Sequence, residues 1–159
     1  MKEPREQSKA IVAEMTYLRG RIITAYAQVE FFLADLSVKL NLNFPYKIVN
    51  RIKAVKKIAE QLEYAAYRDE LHQVCNELLG YDEIRNYMAH GMVSVTTDLK
   101  GQHLIELRIY TRTNKQLFHG HRLETNLPRM RAAADHIVEY SQRAIMLFQR
   151  IYQERKLEE

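Results

Sequence analysis

A chain of 159 residues, 47% hydrophobic and 28% charged, is long enough to bury a core of its own, and its five glycines and three prolines exclude a loop-rich or fibrous protein. A formal net charge of +4 permits a polyanionic partner but lacks the dense basic clusters of a dedicated nucleic-acid arm. One cysteine excludes an intrachain disulfide, and with no apolar run near the ~20 residues of a membrane helix and no signal-peptide core, the expectation is a cytoplasmic protein without membrane contact.

Ile11, Met15, Leu18, Ile22, Ala25, Val29, Phe32, Leu36 and Leu40 recur at steps of three and four, which predicts one long first helix with a narrow apolar seam. The stretch from Asn41 to Pro45 breaks the pattern. Ile48, Ile52, Val55, Ala59 and Leu62 then predict a second amphipathic helix, whose outer face carries Lys53, Lys56 and Lys57. A third run, Leu71, Val74, Leu78, Tyr81, Arg85 and Met88, predicts a single helix that places Arg85 on the apolar stripe. Gly91 follows as the expected left-handed C-cap, and Cys75 inside this helix reads as a small buried hydrophobe.

Past Gly91 the period changes to alternation. Val93, Val95 and Thr97 predict one strand; Ile105, Leu107 and Ile109, alternating with Glu106, Arg108 and Tyr110, predict a second; Leu117 to Leu123 predicts a third. The turns fall at Asp98 to Gln102, with Gly101, and at Thr113 to Lys115. Asn126-Leu127-Pro128 then starts a final helix along Met130, Ala134, Ile137, Ser141, Ala144, Phe148 and Ile151. The expected fold is mainly α: one domain over residues 1–159, an antiparallel bundle of four to five helices with a small antiparallel β-meander at about 92–123 before the last long helix. Seams this long and narrow suit a homodimer.

The chemistry concentrates in Arg85-Asn86-Tyr87-Met88-Ala89-His90-Gly91. Arginine holds phosphate with a rigid, permanently charged fork, and histidine takes and gives protons near neutrality. On an ideal helix Arg85 and His90 project about 140° apart, so they flank a groove rather than stack.

This segment resembles the R-polar-x3-H form of the RxxxxH motif of HEPN domains, helical bundles of prokaryotic toxin, antiviral and RNA-processing systems. Ala27 to Leu33, with Glu30, is similar to the glutamate-containing early helix of that family. The resemblance implies an endoribonuclease that cleaves single-stranded RNA by 2′-hydroxyl attack, without metal or other cofactor, as a homodimer with an antitoxin-like protein partner. Arg85, Asn86 and His90 would be catalytic, with Glu30 and Tyr87 in support and Lys53, Lys56 and Lys57 along the RNA. Arg131 to His136 has the same spacing, but it lies early in the last helix and lacks the polar residue after Arg.

Other readings stand beside this one. The mannitol operon repressor group is similar in the RN-containing helix end, which implies a non-catalytic regulator that binds protein or nucleic acid. Arg85 as an inter-helix clamp and His90 as a C-terminal helix histidine would be structural. The three lysines fit a solvated face, and His103, His119 and His121 have a spacing used by metal ligands but no evident further ligand. Tyr64, Tyr67, Tyr140 and Tyr152 read as core rims rather than a base-stacking platform.

Overall fold

The computed structural model describes residues 4–41, 45–114 and 116–157. Over these the chain is mainly helical, with α1 (Pro4–Lys39), α2 (Ile48–Ile58), a short 3-10 helix (Leu62–Tyr67), α3 (Arg68–Gly80), α4 (Asp82–His90) and α5 (Leu127–Arg155). Between α4 and α5 lie β1 (Met92–Thr97), β2 (His103–Arg112) and β3 (Phe118–Thr125), an antiparallel sheet in the order β1-β2-β3. The chain divides into two compact units, Met1–Ile23 with Glu83–Asp135 and Thr24–Asp82 with His136–Glu159, so α1 and α5 each contribute to both.

The first unit holds the whole sheet. β1 pairs with β2 from Met92↔Arg108 to Thr97↔His103, and β2 pairs with β3 from Ile105↔Thr125 to Arg112↔Phe118. Ile105 and Leu107 bury one face of β2, and Met15, Leu18, Ile22, Met88 and Met130 are buried in the same unit. The β1–β2 turn is closed by Asp98, whose Oδ1 accepts the amides of Lys100 and Gln102 at 2.8 Å each, and Gly101 takes φ 79°, a left-handed value that favours glycine. Lys115, in the expected β2–β3 turn, lies outside the described residues, as does most of the break between Asn41 and Pro45. Alternation puts Glu106 on the opposite face from Leu107, yet it is only 5% exposed. Arg108 and Arg122 close over its carboxylate, Arg122 Nε at 2.6 Å, which replaces the water it would otherwise need.

In the second unit α2 buries Ile48, Ile52, Val55 and Ile58, while α3 buries Leu71, Val74, Cys75 and Leu78. The second helix stops short of the expected Leu62, which opens the 3-10 helix and is fully exposed. The single helix expected through Leu71 to Met88 is two helices. Tyr81, at φ −101° and ψ 6°, ends α3 after Gly80, and Asp82 and Glu83 open α4, where acidic side chains favour a helix N-terminus. α5 buries every expected seam residue, from Met130 to Ile151. Tyr64, Tyr67, Tyr140 and Tyr152 are buried core rims; Arg155, Arg150 and Arg143 of α5 lie over the rings of Tyr64, Tyr67 and Tyr140 at 5.4, 5.5 and 4.8 Å and also reach Glu63, Glu70 and Gln73.

Candidate functional site at the end of α4

α4 is nine residues long and carries three of the expected catalytic residues. Glu83, Asn86, Tyr87 and His90, at helical spacing, form one stripe that lines a groove of about 420 Å³ whose other wall is Ile109 to Arg112 of β2 and His121 of β3. Tyr87 is buried there; burial, reinforced by the Glu83 charge, holds its phenol above the ordinary value and so keeps it protonated. His90 is exposed, so its imidazole can exchange protons with water. His90 also borders a second cavity of about 500 Å³, lined by Val12, Met15, Thr16, Arg19, Gly91 and the start of β1. Arg85 is half-buried and lines neither cavity, so it does not flank either of them with His90 as its place on the helix led one to expect.

The end of α4 is held by two devices, one that the sequence reading missed and one that it expected for a different reason. Arg19 of α1 donates from Nε to the Met88 carbonyl and from Nη2 to the Gly91 carbonyl, so a guanidinium satisfies the last carbonyls of the helix and meets the negative end of its dipole. Arg19 thus clamps this helix end. Its signal was a charged residue at the edge of the seam, one turn after Met15 and three residues before Ile22. Gly91 is the second device, and it lacks the expected left-handed backbone; among the described glycines only Gly101 has positive φ. Its amide continues the helix by donating to Tyr87 O at 2.8 Å. A Cβ at residue 91 would lie 2.5 Å from Tyr87 O and 2.9 Å from Arg108 O, so glycine is required by the close approach of helix end and strand.

Glu30 and the lysines belong to the second unit. Glu30, Lys53 and Lys57 are exposed, and Lys56 donates to Asn76 Oδ1 at 2.6 Å. Both residues of the competing Arg131 to His136 spacing are engaged. Arg131 grips the Glu14 carboxylate with two nitrogens, and His136 Nε2 meets Glu77 at 2.9 Å. Of the histidines with metal-ligand spacing, His103 bonds Thr97 and Gln7, and His121 bonds Thr111 Oγ1 at 2.7 Å. No group of three or more potential metal ligands occurs among the described residues, and none of their helices is long and apolar enough to cross a membrane.

Comparison with family models, with curated proteins and with solved structures finds no match to this chain. The site therefore has to be read from its own chemistry. An exposed imidazole, a carboxamide and a protonated phenol on one helix stripe, facing a second imidazole, can hold a polar ligand and move protons at it.

Proposed function

We propose that this chain is a metal-independent endoribonuclease of the HEPN type, acting on single-stranded RNA as a toxin or antiviral component. One observation carries the reading: Asn86, Tyr87 and His90 share a solvent-open groove at a helix end that Arg19 and Gly91 hold in place. RNA carries its own nucleophile, the 2′-hydroxyl, so a site that only moves protons and holds phosphate is sufficient. His90 transfers a proton during attack of the 2′-oxygen on the adjacent phosphorus, and Asn86 orients the phosphate. The products are a 2′,3′-cyclic phosphate and a free 5′-hydroxyl.

Arg85 borders neither of the two cavities described at His90. In this reading its charge serves the groove of a second copy, in the symmetric homodimer of antiparallel helical bundles that the RxxxxH resemblance implies, with an antitoxin-like protein as the controlling partner. The test is cleavage of single-stranded RNA in EDTA. Wild-type protein cuts, while His90→Ala and Arg85→Ala each lose at least about 100-fold in rate; cutting that survives both changes rejects the assignment.

A non-catalytic binding module is favoured by a different observation. Tyr110, Leu117 and Phe118 leave 74%, 55% and 64% of their surface exposed at one end of the sheet. That reading predicts RNA or protein binding that tolerates His90→Ala, with no cleavage.

A further inference from the structure

β2 outruns β1. Their pairing ends at Met92↔Arg108, whereas β2 continues to Arg112 and pairs from Ile109 onward with β3 alone. α4 ends at His90, two residues before β1 begins, so its stripe faces the four-residue overhang that β1 leaves uncovered. The register Ile109↔His121 brings His121 to the same place. One groove of about 420 Å³ is thereby lined by two histidines, His90 and His121, thirty-one residues apart in sequence; Arg112 also borders it, but its guanidinium lies over the Phe118 ring and its Nε donates to Asn114 O. Thr111 Oγ1 lies 2.7 Å from His121 Nε2 and fixes the plane of that ring. The other ionisable residues that line the groove are Glu83 and Tyr87 of α4 and Tyr110 and Arg112 of β2, and Glu83 is the one carboxylate among them.

We infer that this groove binds the scissile phosphate of RNA and that His121 is the second proton-transfer residue of the reaction, opposite His90. The inference rests on the ribonuclease reading and adds to it a residue from the meander. Internal transesterification needs a base for the 2′-hydroxyl proton and an acid for the departing 5′-oxygen. A neutral imidazole takes the 2′-proton as the 2′-oxygen forms its bond to phosphorus. The bond from phosphorus to the 5′-oxygen breaks, and the opposing imidazolium donates its proton to that oxygen. One proton is removed and one delivered, so the two histidines end with exchanged protonation and the RNA as cyclic phosphate and 5′-hydroxyl. Thr111 is a positioning residue that acts through His121.

Two measurements on the full chain test this. In the first, the imidazole signals of wild-type protein are followed by NMR as inorganic phosphate is added. His90 and His121 shift together and saturate, while His72 and His103 stay in place; a silent His121 overturns the inference, whatever the activity. In the second, RNA cleavage in EDTA is followed against pH. Wild type gives a bell-shaped profile, and His121→Ala falls at least about 100-fold and loses one limb of the bell. Thr111→Ser keeps the wild-type rate, whereas Thr111→Val slows the reaction. Full activity in His121→Ala with a dead His90→Ala overturns the role of His121 and leaves the ribonuclease reading standing. No cleavage by wild type overturns both.

Discussion

Gly91 shows how one missing side chain sets the geometry of the site. Backbone oxygens of Tyr87 and Arg108 converge on it from helix and strand, and neither can rotate away as a side chain would. Gly91→Ala is expected to destabilise the fold by about 1–3 kcal/mol, read from urea midpoints, since a forced shift of packed backbone costs that much; a variant as stable as wild type would contradict this account of the helix end. Cys75 is the opposite case, a residue whose behaviour was legible from its place in an apolar stripe. Burial pushes its thiol up to about 12 despite the nearby Lys56 charge. At pH 8 a thiol reagent should therefore label it only as fast as the protein unfolds, and rapid labelling of native protein would show the site to be open. A glycine at 91 was expected as a left-handed cap, but the actual reason for it was not legible, because the atom it must avoid on the far side belongs to Arg108, seventeen residues later.

Among the elements, the long helices were the easiest to read. Met15, Leu18, Ile22, Ala25, Val29 and Leu36 of α1 are all buried as their spacing requires, because a seam is set by local periodicity alone. The break at Tyr81 was hidden, since Leu78, Tyr81, Arg85 and Met88 keep helical spacing across it. Periodicity reports which side of a helix is apolar, not whether the axis continues. Hydrogen-bond partners were hidden too, as with Arg19 at the end of α4. Arg19→Ala leaves the Met88 and Gly91 carbonyls without their charged donor and should cost about 1–3 kcal/mol, with Arg19→Lys recovering part of it in the same urea titration; no loss would mean that water serves α4 equally well.

The pair Glu14 and Arg131 ties α1 to α5 and makes a pH prediction. The hydrogen bond from Arg131, reinforced by its charge, holds the Glu14 carboxyl below its ordinary value of 4.5, against a smaller effect of burial. A carboxylate depressed in the folded state stabilises the fold above its unfolded pKa, and that contribution fades as pH falls through the lower folded value. The stability difference between wild type and Arg131→Ala should therefore be steady at pH 6 and shrink below about pH 4.5. A difference that stays constant into acid would show that Arg131 acts by packing alone.

Across the whole molecule, the proposed chemistry belongs to the first unit, where α4, β2 and β3 meet in one groove. Half of that groove was legible: Asn86, Tyr87 and His90 follow from one helical stripe. The other half depends on strand register and on β2 outrunning β1, which alternation cannot supply. Hence His121 first reads as a candidate metal ligand beside His119, although the register sets it across the groove from His90. The central claim is that His90 drives cleavage of RNA by its own 2′-hydroxyl. Its most direct test is an oligoribonucleotide cut in EDTA by wild type and by His90→Ala, with the new ends identified and a 2′-deoxy nucleotide placed at the cut site in a parallel substrate. The account predicts 2′,3′-cyclic phosphate and 5′-hydroxyl ends from wild type, an uncut 2′-deoxy position and an inactive His90→Ala; cleavage at the 2′-deoxy position, or undiminished cutting by His90→Ala, would contradict it.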